Sequence, residues 1–512
     1  MKNRKIIRFV ALLLAIMLAV IPSFSAVAAS SELSYNVSCP TIMVHGFMAS
    51  DVYKNRGTDA QEVIFPMSSD LVLNLVKDCI PALTEFLITK NWDKLGETVT
   101  PIARSYFEDI MLDNDGETKD NSGVVFEYPS PETIGKTSVI EFSYDWRVDP
   151  TVVASELNDF IDYVLDCSGA DKVSLVGHSF GGVIMTSYLA IYGYEKIHGV
   201  IFNSTAIYGE TYTGELLSGQ ITLSKDSVNE YLRYTLDQTE YEKTVGGLID
   251  ILTAAGIYDV LLPLTDEILL NLSDYIIPGV VAPVFGGWLS VWAMVPDEYM
   301  ASSMDYVFNE VYKDNGAEHS GLVEKIERYN ELVRKNKTEV IKETEKNCRV
   351  GVYTRYGYSS ILATPSWQNI SDGTIDTKYA SFGATTSKYG ETLSDAYLAK
   401  VEGKFVSPDK TVDASTCLFP EKTWFIKYLK HAANYKNLDE LTKAILFADE
   451  PVTVDSYEAY PRYMIYDPAA GIVRAETEND NIPVYTQSTF LKIFTRLLEF
   501  VHNLLKSILF KH

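Results

Sequence analysis

The chain has 512 residues, 46% of them hydrophobic, and its 44 Lys and Arg against 69 Asp and Glu leave a formal net charge of −25. That length accommodates one large domain with insertions, or two domains. A polyanion of this size repels nucleic acid and phospholipid headgroups over most of its surface, so no nucleic-acid partner is expected and a soluble exported protein fits.

Residues 1–29 read as a secretory signal peptide. Lys2, Arg4, Lys5 and Arg8 precede an apolar stretch from Phe9 to Ile21, and Ala26, Ala28 and Ala29 supply a small-residue cleavage site. The apolar stretch is short for a membrane span, so cleavage and secretion are expected rather than an anchor. Cleavage takes the net charge from −25 to −29. No cysteine stands at the cleavage point, which argues against a lipoprotein. The later stretch nearest to spanning length, 276–296, is broken by Pro and Gly. Cys39, Cys79, Cys167, Cys348 and Cys417 are scattered and show no C-x-x-C spacing. They form neither a disulfide framework nor a usual zinc site; no bridge is the expectation, one bridge the alternative.

Pro40-Thr41-Ile42-Met43-Val44 predicts a short buried strand ending at His45-Gly46-Phe47. A polar, irregular stretch follows to about Gly135, with an amphipathic helix around Leu71–Lys90 and an acid-rich loop at 113–123. Val139–Tyr144 predicts the next strand, closed by Asp145-Trp146-Arg147. A helix is expected over 151–168, with Val152, Val153, Leu157, Phe160, Ile161 and Val164 on one face. Then come a strand at 172–176, a helix at 182–192 and a strand at 197–203. Strands alternating with helices indicate a parallel α/β sheet. The rhythm stops near Thr205 and resumes at Arg349-Val350-Gly351-Val352-Tyr353, with a largely helical insertion between. Residues 449–488, rich in Tyr, Pro and acids, read as irregular, and a strong helix is expected at 489–510.

The stretch Gly177-His178-Ser179-Phe180-Gly181-Gly182 lies between the strand at 172–176 and the helix at 182–192. It is the G-x-S-x-G nucleophile elbow, with Ser179 at the apex of a sharp turn and glycines at i−2 and i+2, where side chains would collide. A serine needs a base within hydrogen-bond reach and a carboxylate to orient that base. In this arrangement they follow in the order Ser, Asp or Glu, His. Of the seven histidines, His45 and His178 belong to turns flanking the site, His198 and His319 precede any convincing acid, and His502 and His512 lie in the terminal helix. His431 is left as the base. Asp372, in the polar turn Ser371-Asp372-Gly373-Thr374, is the candidate acid, with Asp376 its nearest competitor. The turn His45-Gly46-Phe47 should bring a second backbone N–H to a developing oxyanion, so the donors would be the amides of Phe47 and Phe180.

Tyr144-Asp145-Trp146-Arg147, the His45-Gly46-Phe47 turn, the elbow and Ser371-Asp372-Gly373-Thr374-Ile375 together resemble the lecithin:cholesterol acyltransferase-like branch of the α/β-hydrolase lipases. Gly287–Pro296, with Trp288 and Trp292, is similar to the Trp-containing lid segment of that branch. The resemblance implies an α/β-hydrolase fold with a mostly parallel sheet and a large helical lid. It puts the triad on Ser179, Asp372 and His431, and the oxyanion donors on Phe47 and Phe180. It covers about 40–50, 137–205, 284–300 and 349–432, and implies no roles for 51–136 or 433–512. One departure stands out: the acyltransferases themselves usually carry proline before the glycine of the first turn, where this chain has His45.

Two readings stay open for several segments. Asp145 and Arg147 pair to hold the loop with Trp146 beneath, or Trp146 and Arg147 contact substrate. The apolar run from Leu261 to Ile277, with Trp288 and Trp292, is a lid surface for acyl chains or the core of a helical subdomain. The terminal helix, with Phe490, Phe494, Leu497, Val501, Leu504 and Ile508 opposite Lys492, Arg496, Lys506 and Lys511, lies on a membrane surface or docks on the acidic body.

The organisation expected is a signal peptide at 1–29; an α/β-hydrolase core from 30–50, 136–204 and 346–435; and an insertion of unassigned role at 51–135. A helical cap at 205–345, an irregular extension at 436–488 and a basic amphipathic helix at 489–512 complete it. The expected function is a secreted serine lipase or esterase acting on lipid or other acyl esters. The alternatives are an acyltransferase, and a non-catalytic lipid-binding protein retaining the fold. The chemistry calls for no cofactor, and no D-x-D-x-D-G loop supports a metal.

Overall fold

The computed structural model describes residues 39–66, 69–135, 139–220, 222, 226–227, 274–313, 315–361, 364–431, 433, 436–467 and 470–480. The signal segment, the apolar residues Leu261 to Leu272 and the basic terminal helix lie outside the described residues.

Aliphatic and β-branched runs build the central sheet. Its strands are β1 (Thr41–Val44), β2 (Val139–Phe142), β3 (Val173–His178), β4 (Ile197–Asn203), β5 (Arg349–Tyr356), β6 (Thr423–Lys427), β7 (Tyr463–Asp467) and β8 (Ile472–Ala475). Their spatial order is β8-β7-β6-β5-β4-β3-β1-β2. Every neighbouring pair is parallel except β7 with β8. β3, β5 and β6 are buried almost throughout, as strands of a sheet covered on both faces must be. This is the α/β-hydrolase architecture, with β3 third from the β2 edge and its C-terminal end opening into the Ser179 turn.

Flanking β3 are two helices. The first, Pro150–Ser168, opens with Asp149 accepting from the Thr151 N–H and closes on Gly169 at φ 69°, the left-handed conformation that glycine adopts without strain. It buries Val153, Leu157, Phe160, Ile161 and Val164. The second, Gly181–Tyr192, is buried on nearly all sides, and its Thr186 and Ser187 return their hydroxyls to the Gly182 and Val183 carbonyls at 2.9 and 2.8 Å.

Two stretches that the sequence reads as irregular are ordered. In the insertion after β1, Val52–Lys54, Glu62–Phe65 and Gly123–Val124 form a small antiparallel sheet, and the helix expected around Leu71–Lys90, found at Ser69–Thr89, is followed by a second helix, Trp92–Ser105. The strands are too short to show an alternation, and Gly96 and Pro101 interrupt the pattern of the second helix. The C-terminal extension was expected to be irregular over 436–488; instead Lys436–Phe447 is a helix and β7 and β8 extend the central sheet. β7 hides itself because Tyr463, Met464 and Ile465 are buried in succession, so the half-buried alternation that announces a strand is missing. The helix lays Leu438, Leu441 and Ile445 over β4, β5 and β8.

The described part of the cap is helical, with Thr211–Leu217, Ser320–Tyr329 and Lys337–Asn347 among its helices. Among the described residues no helix is long and apolar enough to cross a membrane. All five cysteines are free thiols.

Candidate active site

Ser179 stands at φ 56° where β3 turns into the helix beginning at Gly181. A non-glycine residue pays for the left-handed conformation with strain, which persists only where the surroundings enforce it. The Ser179 N–H donates to the Asn203 carbonyl at 3.0 Å, and its own carbonyl accepts from Gly182 and Ala206 at 3.1 and 3.2 Å. The neighbouring glycines are sterically required. A Cβ on Gly181 would stand 2.0 Å from the Val44 carbonyl oxygen, and one on Gly177 would stand 2.9 Å from the Gly181 backbone carbonyl carbon.

The turn after β1 lies against the serine. A Cβ on Gly46 would come within 2.9 Å of the Ser179 Cβ. The Tyr144 hydroxyl donates to the His45 carbonyl at 2.6 Å and fixes this turn from beneath. Neither the Phe47 nor the Phe180 N–H donates to an acceptor among the described residues. Two unengaged backbone donors, one on each side of a serine, are what an oxyanion requires.

Asp372 and His431 meet across 59 residues of sequence: His431 Nδ1 lies 2.7 Å from Asp372 Oδ2. Both are buried, at 5% exposure for His431 and 0% for Asp372. The other carboxylate oxygen accepts from the Thr374 and Ile375 N–H groups at 3.0 and 2.7 Å. Burial alone would push the Asp372 carboxyl up; His431, the Arg355 guanidinium and the Ile375 N–H outweigh it and hold the group below its ordinary value. The acid therefore stays ionised and can hold the imidazole in one tautomer. Asp376, the competing acid, bonds instead to Thr211 and, at 3.2 Å, to Asn369.

The His431 ring lies 4.7 Å, centroid to centroid, from the ring of His178, the residue before Ser179. Among the described residues no hydrogen bond joins Ser179 Oγ to His431. Such contacts are often long in a free enzyme and tighten around substrate. Burial, with the nearby His431 and Arg355, pushes the His178 imidazole well below its usual value, so it is neutral and its Nδ1 sits 3.2 Å from the Asn203 carbonyl.

Of the remaining sequence candidates, Trp146 and Trp288 form a wall behind Phe47. Arg147 is fully buried in a two-point pair with Asp145, at 3.0 and 2.7 Å, and also donates to the Ile110 carbonyl and Ser122. Trp146 donates to the Ser50 carbonyl at 2.9 Å and Trp288 to the Ile110 carbonyl at 3.2 Å. The Phe47 ring lies 5.0 Å from Trp146, 6.0 Å from Trp288 and 6.1 Å from Phe180. Trp292 bonds to the Gly286 carbonyl and stacks on Phe308. Trp146, Arg147, Trp288 and Trp292 are all at most 1% exposed. In this structure they present no face to an incoming substrate: Trp146, Arg147 and Trp288 are committed to partners that join the insertion, the cap and the core, and Trp292 to partners within the cap.

Sequence reasoning missed Asn203 and Arg355. Both act through the main chain of other residues, and a sequence pattern does not display that. Among the described residues no group of three or more His, Cys, Asp or Glu side chains is arranged to hold a metal ion.

A family model described as alpha/beta hydrolase fold matches residues 131–243, which takes in β2, β3, the Ser179 turn and β4 but neither Asp372 nor His431. Sheet order, elbow and this match define the class as an α/β-hydrolase fold. Among solved structures, "The crystal structure of Tle4-Tli4 complex" is matched at 14% identity and a TM-score of 0.19, over 35% of this chain and 48% of that one. The chain thus spans about half the length of that solved chain. No curated protein matches the chain.

Proposed function

We propose that this chain is a secreted serine hydrolase of carboxylic esters working through an acyl-enzyme. Ser179 Oγ attacks the ester carbonyl while His431 Nε2 takes its proton. Asp372 orients the imidazole and stabilises the imidazolium that forms. The tetrahedral oxyanion is held by the Phe47 and Phe180 amides, and its collapse expels the alcohol, protonated by His431. Water, deprotonated by the same base, then releases the acid and restores Ser179.

The observation that carries this reading is the pairing of a strained serine at φ 56° with a buried His431–Asp372 hydrogen bond of 2.7 Å on the adjoining loop. Lipids as substrate class rest on sequence: the apolar stretch of the cap and the likeness to the lecithin:cholesterol acyltransferase branch. Export rests on residues 1–29. The test is hydrolysis of p-nitrophenyl esters of graded chain length by the mature chain and its Ser179→Ala variant. Activity that depends on Ser179 and holds or rises with chain length is expected. Activity that survives Ser179→Ala sinks the mechanism, and a steep fall with chain length sinks the lipid assignment alone.

A further inference from the structure

A buried arginine needs a reason. Arg355 on β5 is 1% exposed, yet arginine's charge persists in any folded environment, so its guanidinium must find compensation inside. It finds it on the loops that carry the proposed triad. Nη1 donates to the carbonyls of both Lys430 and His431. Nη2 donates to Asn203 Oδ1 at 3.1 Å. The Asn203 carbonyl in turn accepts from the Ser179 N–H and faces His178 Nδ1. On the third side, the Arg355 carbonyl accepts from Thr377 Oγ1 at 2.8 Å, at the end of the loop that begins with Asp372.

Three segments far apart in sequence thus converge on one side chain and its own carbonyl. The nucleophile turn arrives through Asn203, the base loop directly, and the acid loop through Thr377. The His431 loop has reason to need such a hold. It follows β6 through Tyr428, at φ 57°, and no helix or strand carries residues 428–431. The fork on its carbonyls adds to the Asp372 contacts, including the His431 N–H to the Asp372 carbonyl at 3.2 Å, to the Tyr428 N–H on the Tyr356 carbonyl, to the Tyr358 hydroxyl on the Tyr428 carbonyl at 3.1 Å, and to the burial of Leu429.

We propose that Arg355 is the positioning residue of the site, its guanidinium fork fixing the His431 loop to the Asn203 carboxamide and so to the Ser179 turn. This rests on the serine-hydrolase reading for its kinetic consequence but not for its geometry. Lysine keeps the charge but lacks the planar fork that bridges two loops; methionine lacks both.

The test compares Arg355→Lys, Arg355→Met and Asn203→Ala, with folding checked by thermal unfolding. Misplacing a base by an ångström costs on the order of 100-fold. Arg355→Met is therefore expected to lower kcat by about that factor with KM nearly unchanged, and Arg355→Lys and Asn203→Ala by less. Added guanidinium should partly restore Arg355→Ala but not Asp372→Asn. A folded Arg355→Met with wild-type kcat, or with its loss confined to KM, overturns the proposal. The far-downfield proton resonance of His431 Nδ1–H gives a readout free of turnover. It should shift or broaden in Arg355→Met even if Ser179 proves not to be a nucleophile, and an unchanged resonance contradicts the positioning role. Should Arg355→Met fail to fold, the Lys and Asn203→Ala variants decide by the same two readouts.

Discussion

Gly46 lies so close to Ser179 that a Cβ on it would stand 2.9 Å from the serine Cβ and 3.3 Å from its Oγ. Contact at this distance forces a shift, and the atom to be moved is the proposed nucleophile or the turn carrying the Phe47 amide. Gly46→Ala is therefore expected to cost activity rather than stability. Loss of one oxyanion donor costs roughly 100-fold to 1,000-fold in kcat, and partial displacement should cost about 10-fold to 100-fold. Steady-state kinetics with a thermal melt checks it; unchanged kcat would remove this turn from the oxyanion site.

The two neighbouring carboxylates should separate cleanly. Asp372→Asn leaves the turn intact but offers an amide where the imidazole N–H needs an acceptor, which favours the wrong tautomer. The corresponding change in a serine-protease triad costs about 10⁴-fold. A fall of at least about 1,000-fold is expected here, whereas Asp376→Asn, which touches Thr211 and Asn369, should stay within a few-fold. Equal losses would leave the acid unassigned. The depressed Asp372 carboxyl also sets a sign. Its stabilising contribution is present above the unfolded-state value and is lost as pH falls through the lower folded-state value.

Glu210 carries the opposite sign. It is buried beside Asp376; one carboxylate oxygen takes a hydrogen bond from Thr213 and the other, Oε1, has no partner. Burial, with the Asp376 charge, pushes its carboxyl well above the ordinary value, against Thr213. The folded state then holds a proton that the unfolded state releases. Stability should fall as pH rises from the unfolded value of about 4.3 toward the raised folded value. Glu210→Gln mimics the neutral form, so it should flatten that decline and melt higher than the wild-type chain at neutral pH. Differential scanning calorimetry from pH 4 to 8 checks it; parallel curves for the two proteins would contradict the argument.

The C-terminal strands are tied in by charge as well as by sheet. Lys427 on β6 reaches Asp409 at 2.8 Å and Glu476, just past β8, at 2.7 Å. Burial works against the ammonium, yet the two carboxylates hold it above its usual value. Lys427→Met would strand both acids, and breaking a buried pair in this way costs about 3–5 kcal/mol. Urea unfolding should show a loss of that order, partly recovered in Lys427→Met with Glu476→Gln. A loss below about 1 kcal/mol would mean that solvent reaches the cluster.

The parts of this site legible in sequence are those whose chemistry is local. Ser179 stood out because its strain demands glycines two residues away on each side, at Gly177 and Gly181. His431 carries no local mark and was reached by its order after the serine and by elimination among the histidines, whereas Asp372 was read from the polar turn Ser371-Asp372-Gly373-Thr374. Arg355 and Asn203 were invisible: Arg355 grips main-chain carbonyls of the His431 loop and the Asn203 carboxamide on β4, and Asn203 takes the Ser179 N–H on its own carbonyl, pairings that no local pattern displays. In the fold, the buried aliphatic strands β1, β3 and β4 announced themselves, whereas β7 and β8 did not. A five-residue strand with three successive buried residues reads no differently from a loop that packs well. Trp146 and Trp288 were noticed as rare residues, but only the hydrogen bonds of their indoles distinguish a wall from a binding surface.

The central claim is that Ser179 is a nucleophile activated by His431 and Asp372. A fluorophosphonate probe tests it directly, since it forms a stable phosphonyl ester only with an activated serine. Digestion and mass spectrometry of the treated, folded chain should place a single adduct on the peptide containing Ser179. The adduct should be absent in Ser179→Ala and slowed by orders of magnitude in His431→Ala. No adduct on folded protein, or one that persists after Ser179→Ala, would contradict the account.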